Sequence, residues 1–155
     1  MKRYAFTIIE LVFVIVILGI LAAVAIPRLG STVNDANVAK GRSDVAAIRS
    51  AIVSERQGRL LQGQTNYITQ LHQDTAGNKT TLFDNNGTAT STLLQYGIST
   101  RNSTDGHWDD TVTQVGTNWR YIFRVSGANV NFDYNSNNGT FDCNHSIATC
   151  KLLTE

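Results

Sequence analysis

The chain divides by the way its apolar residues are spaced. Residues 6–26 are apolar at almost every position, residues 38–60 carry apolar residues at intervals of three, four and seven, and residues 119–134 alternate apolar with polar. The first pattern can cross a bilayer as a helix, for which about 20 apolar residues suffice. The second is an amphipathic helix. Val38, Val45, Ile48 and Ile52 share one face, and Ala39, Ala46, Val53 and Leu60 make a parallel row beside it. Asp35, Lys40, Arg42, Asp44, Arg49, Arg56 and Arg59 mostly take the other positions, and Glu55 precedes Arg59 by one turn in the favourable order. A single helix from residue 6 to about residue 62 is about 85 Å long at about 1.5 Å per residue. Pro27 and Gly30 are expected to interrupt or bend it. Both apolar rows then need a cover, which only the rest of the chain can supply.

The third pattern supplies it. Trp119, Tyr121, Phe123 and Val125 alternate with Arg120, Ile122 and Arg124, and Val130, Phe132 and Tyr134 alternate with Asn131 and Asp133. Ser126, Gly127, Ala128 and Asn129 between them read as a hairpin turn. Residues 111–115 and 140–143 are candidate outer strands. The stretch 64–110 reads mostly as loop, with apolar islands at Leu82-Phe83 and Leu93-Leu94. A small antiparallel sheet laid over the helix makes the fold class α+β.

Composition changes at the same boundary. Residues 1–62 hold eight Lys/Arg and four Asp/Glu, a net of +4, whereas residues 63–155 hold five and eight, a net of −3, which together give the +1 of the chain. Opposite signs on stalk and head are compatible with lateral packing between subunits. The basic residues of residues 28–62 read as a solvated helix face rather than a nucleic-acid surface. A head of this size supports one core.

Within the apolar segment stands one charge, Glu10, preceded by Lys2 and Arg3. An intramembrane carboxylate costs about 2.5–3.5 kcal/mol on insertion scales, so Glu10 calls for a partner. Three readings compete. The segment is a secretory signal peptide with small residues Ala23, Val24 and Ala25 at its cleavage site. Or it is a plain anchor held with Lys2 and Arg3 in the cytoplasm. Or it is an assembly helix that leaves the membrane to pack against copies of itself. Neither of the first two has a use for Glu10, and Pro27 falls two residues after the cut required by the first.

The run Ala5-Phe6-Thr7-Ile8-Ile9-Glu10-Leu11, followed by the apolar residues 12–25 and Pro27, resembles the N-terminal signature of type IV pilins and type II secretion pseudopilins. The resemblance implies cleavage between Ala5 and Phe6 by a prepilin peptidase and N-methylation of Phe6; the family usually has Gly where this chain has Ala5. It also implies a helix loosened or kinked at Gly19 and Pro27, and a Glu10 that pairs with the Phe6 amine of a neighbouring subunit. Amine and carboxylate lie four residues apart on one helix face, and paired buried charges enforce register more than stability. The expected organisation is a leader at 1–5, a transmembrane and assembly helix at 6–27, its amphipathic continuation at 28–62 and an exported head at 63–155. The implied function is structural and not enzymatic: an inner-membrane subunit, N-terminus cytoplasmic and head periplasmic, that polymerises with itself and related pilins on an inner-membrane platform. It would serve a type IV pilus, type II secretion or DNA uptake, nucleic acid entering only through the last. The alternative is a monomeric, membrane-tethered periplasmic binding module.

The remaining chemistry is sparse. Cys143 and Cys150 in an exported domain read as a structural disulfide, and the resemblance also implies a C-terminal disulfide loop; with His145 they make a poor metal set. Asp133, Asn135 and Asn137 ahead of Gly139 are weak calcium candidates, because the glycine comes one residue late for a calcium loop and a polar turn explains the same residues. No other cofactor is expected. Asn78, Asn86, Asn102, Asn138 and Asn144 open Asn-x-Ser/Thr triplets, expected by chance in so Asn-rich a chain, although Asp84 and Asp142 precede two of them. His72, His107 and His145 are scattered, with no nucleophile–base arrangement, and Trp108, Asp109 and Asp110 read as a loop plug.

Overall fold

A computed structural model describes residues 6–73, 80–84 and 93–155, with side chains for all of these except residues 26–29. The chain forms two compact units, dividing after Asp35. A single helix, α1 (Ile8–Leu61), contributes to both. Its assignment continues through Gly19, Pro27 and Gly30, so any loosening there occurs within a helix and not at a break. Pro27 costs α1 a backbone donor, but the hydrogen bonds of neighbouring turns carry the helix across.

In the first unit every described side chain from Phe6 to Ala25 is exposed. An 18-residue window of this stretch has a mean hydropathy of 3.1, enough by length and composition for a membrane span.

The second unit is α+β. After the helix come β1 (Thr81–Leu82), β2 (Ile98–Ser99), β3 (His107–Trp108), β4 (Thr113–Val115), β5 (Asn118–Val125), β6 (Ala128–Asn135), β7 (Thr140–Cys143) and a short helix α2 (Ala148–Thr154). The antiparallel sheet runs β3-β5-β6-β7, with β4 also paired to β5, and β1 and β2 make a separate two-stranded sheet. The alternation read from the sequence gives the central hairpin. Tyr121 pairs with Phe132 and Trp119 with Tyr134, and Ser126 and Gly127 turn the chain with φ of 54° and 74°, the two positive values that a tight two-residue hairpin demands. The expected outer strands are β4 and β7.

The core is one cluster joining Val45, Ile48 and Ile52 of α1 to Tyr121, Phe123, Phe132, Tyr134 and Phe141 of the sheet. Trp108 lies at its centre, edge-on to Phe83 and tilted on Phe123 and Phe132. It is therefore a core residue in β3 and not a loop plug. Leu82, Phe83 and Leu93, the apolar islands of an otherwise irregular stretch, are buried in the same cluster. Short pieces of strand around them escaped the sequence because two residues are too few to show a period.

Only one of the two apolar rows of α1 is covered. Ala39, Ala46, Val53 and Leu60 are exposed, against expectation. The charged residues Asp44, Arg49, Glu55, Arg56 and Arg59 are half-buried instead. The reason is that Asp44, Arg49 and Arg56 meet partners in the head, while Glu55 and Arg59 pair with each other at 3.1 Å along α1. The Trp108 indole N–H donates to Asp44 at 3.1 Å, Arg49 donates to the Phe141 carbonyl at 3.0 Å and to Asp142 at 2.8 Å, and the Arg56 guanidinium lies 4.5 Å from the Tyr67 ring centre. Paired charges tolerate burial that bare ones do not.

Candidate assembly surface

The N-terminal site is a helix start. Thr7 stands just before α1, and its hydroxyl accepts the Glu10 backbone N–H at 3.3 Å. In return the Glu10 carboxylate accepts the Thr7 backbone N–H at 3.5 Å and the Thr7 hydroxyl at 3.4 Å. Thr and Glu three residues apart, each bonding the other's backbone, make a capping box. Thr7-Ile8-Ile9-Glu10 carries the Thr-x-x-Glu spacing of that motif. The carboxylate thus has a partner inside its own chain. It also sits in the first turn of α1, where the helix dipole favours a negative charge.

The second part of the surface is the outward face of α1 in the head. From residue 43 to residue 61 the exposed residues are Ser43, Ala46, Ala47, Ser50, Val53, Ser54, Gln57, Leu60 and Leu61, and none of them is charged; the Arg49 side chain, 38% exposed, is turned to Asp142 of the head. A helix side meant only for water normally carries its charges there. Here small and apolar residues recur every seven positions on the open side, a spacing that fits packing against another helix.

The comparisons bear on the N-terminal part. The family model of the prokaryotic N-terminal methylation motif matches residues 1–26. Among curated proteins, the type IV narrow pilus major component PilA5 of Thermus thermophilus is 49% identical over 51 residues. Over that stretch the chain is similar to a type IV pilus component. The match covers 33% of this chain and 44% of that protein, so the chain spans less than half the length of the relative it matches. No solved structure matches.

The other residues singled out in the sequence fall as follows. Ala5 and the leader lie outside the described residues, as do Asn78 and Asn86. Cys143 and Cys150 are joined in a disulfide with Cα atoms 5.9 Å apart, which ties α2 to the end of β7. It does not leave thiolates for a metal, and His145 turns to Asp142 at 3.1 Å. Of the calcium candidates, Asp133 is bound through both oxygens by Arg120 at 2.7 and 2.9 Å. The Asn135 side-chain oxygen accepts the Asn137 N–H at 2.9 Å. Both side chains already have protein partners, as a polar turn requires. Asn138 and Asn144 likewise cap their own turns, and the Asn102 side-chain oxygen accepts the Asp110 N–H at 2.9 Å across its loop.

One buried polar group stood out in neither composition nor motif. His72 is 2% exposed, and its Nδ1 lies 2.9 Å from the Tyr121 hydroxyl. That hydroxyl accepts the Leu71 N–H at 2.9 Å, so its own hydrogen is free to go to His72. Tyr134 donates to the Ile68 carbonyl at 2.8 Å. Two phenols thereby stitch the strand of chain that leaves α1 onto the sheet. Burial pushes both phenols to a higher pKa than an ordinary tyrosine, the Leu71 N–H partly offsetting this at Tyr121.

Proposed function

We propose that this chain is a filament subunit of a type IV pilus, inserted in the inner membrane with its head outside the cytoplasm, cut between Ala5 and Phe6 and polymerised through α1. The observation that carries this reading is the uncharged outward face of α1 in the head. An exposed apolar segment at residues 6–25 is equally what a simple membrane tether needs. A tether has no need of a second uncovered face, free of charge over residues 43–61, on the part of the helix that carries the head. A subunit that packs its helix among other helices needs both. The similarity to a major pilus component favours a pilus over a secretion pseudopilus or a DNA-uptake filament.

Glu10 then has two successive partners. In the membrane-held monomer the Thr7 capping box lowers the cost of the carboxylate. After cleavage the Phe6 amine is a cation beside the same site, and in the filament the carboxylate pairs with the amine of a neighbour. A slipped arrangement leaves two buried charges unpaired, which fixes register. The test is to compare wild type and Glu10→Leu in the producing cell, assaying membrane insertion, intact mass and sheared filaments. Wild type is expected to lose residues 1–5 and gain one methyl. The variant is expected to insert normally and yield no filaments. Normal filaments from Glu10→Leu, or a mass that ends the leader at Ala25, overturns the reading.

A further inference from the structure

We propose that adjacent copies of this chain contact each other edge to edge through the heads, Arg42 of one copy pairing with the Asp109–Asp110 turn of the next. The proposal rests on the filament reading above and names a contact within it. It starts from a census of charge. Among the described residues of the head most ionic groups have a counter-charge at hand: Lys40 with Asp44 at 3.5 Å, Arg49 with Asp142 at 2.8 Å, Arg59 with Glu55 at 3.1 Å, Arg120 with Asp133 at 2.7 Å and Arg124 with Asp105 at 3.2 Å.

Arg56, over the Tyr67 ring, and Asp84, bonded by the Thr81 hydroxyl, have no counter-charge but are half-buried within the head; two other places depart from the pattern at its surface. Arg42 is exposed, and its Nε donates to the Leu152 backbone carbonyl at 2.6 Å; no carboxylate among the described residues pairs with it. The carboxylates of Asp109 and Asp110 bond only the neighbouring Thr111, through its N–H at 3.0 Å and its hydroxyl at 3.1 Å. Around Arg42 stand exposed Lys151 and Glu155, and beside the acidic turn stands exposed Arg101. These neighbours cancel in part, leaving one positive charge at the first place and one negative at the second.

The placement of the two sites makes the pairing useful. Arg42 borders a trough of about 200 Å³ between α1 and α2, lined also by Val45, Ala46, Arg49, Leu153 and Glu155. Ala46 belongs to the uncharged outward face, so a copy packed on that face lies over the trough mouth. The trough flanks β7, whose Phe141 carbonyl takes the Arg49 hydrogen bond. The acidic turn joins β3 to β4, which both pair with β5 on the side away from β6. The two charged sites therefore mark opposite edges of one sheet. A contact between unlike edges is heterologous, and repeated from copy to copy it builds an open fibre wherever its rotation does not close a ring. One exposed ion pair stabilises little; its larger effect is to select orientation and partner.

The test uses the full chain in the producing cell, with filaments sheared, quantified and imaged, and the head's disulfide and circular dichroism as folding controls. Arg42→Glu and Asp110→Lys are each expected to reduce filament yield or lower the salt concentration at which filaments fall apart, and Arg42→Lys to behave as wild type. The double variant Arg42→Glu/Asp110→Lys, with the pair reversed, is expected to recover filaments over either single change. A double variant no better than its parents, or single variants with filaments of unchanged yield and salt resistance, overturns the proposal. If Glu10→Leu abolishes filaments in the same series, only the edge contact fails; if it too assembles normally, the filament reading fails with it.

Discussion

Thr7 and Glu10 set what one residue can do in this chain. The glutamate is both a helix cap and the only acid in the apolar segment, and the two roles separate by mutation. Thr7→Val removes the hydroxyl that accepts the Glu10 N–H and leaves the carboxylate in place. Loss of such a cap costs about 0.5–2 kcal/mol of helix stability. The expected outcome is faster amide exchange over the first turn of α1 in detergent-solubilised protein, with exchange in the head unchanged; equal exchange rates at Glu10 and Leu11 in the two proteins refutes the capping role. The charge of Glu10 was legible in the sequence because nothing around it is charged. Its cap was equally written there, as Thr three residues before Glu, but a capping box is recognised with assurance only once the helix is known to begin at Ile8.

Among the elements, α1 decides the most, and Gly41 shows how closely the head sits on it. A Cβ at Gly41 would fall 2.6 Å from the Leu153 side chain of α2 and 2.6 Å from the Phe123 ring of β5. The glycine costs helix propensity, and in exchange it lets two elements meet the helix at one point. Gly41→Ala is expected to destabilise the head by about 1–3 kcal/mol through overpacking, read as a lower denaturant midpoint at unchanged slope; a midpoint at or above that of wild type contradicts the close-packing account. The period of α1 could be read from spacing alone, and so could the face formed by Val45, Ile48 and Ile52. Which of its two apolar rows is covered could not. A heptad row and a core row differ by one step around the helix, and only the partners supplied by Trp108, Phe141, Asp142 and Tyr67 turned the charged side inward.

For the molecule as a whole, the core is held to the chain leaving α1 by the hydroxyls of Tyr121 and Tyr134, which stay protonated in the folded head. Their folded-state pKa values are raised by burial, so the stabilisation is fully present below the ordinary tyrosine value of about 10 and is lost as pH rises above it, where the unfolded chain ionises first. Alkaline unfolding is expected to begin above about pH 10 and to follow tyrosinate absorbance. In Tyr121→Phe the head is expected to be less stable at neutral pH, because Leu71 loses its acceptor, with a shallower alkaline fall; a fall as steep as that of wild type rules out Tyr121 as a source. Sequence alone determined the membrane-length segment, the pilin-like motif, the long helix, the central hairpin and the cysteine pair, since each is carried by local spacing, turn chemistry or a short motif. Tertiary structure decided the strands of two residues, the placement of Trp108 and His72 in the core, the inward turn of the helix charges and the opposite edges on which Arg42 and Asp109–Asp110 stand. These depend on which distant residues meet, and free energy gained between partners far apart in the chain leaves no periodic mark on either of them.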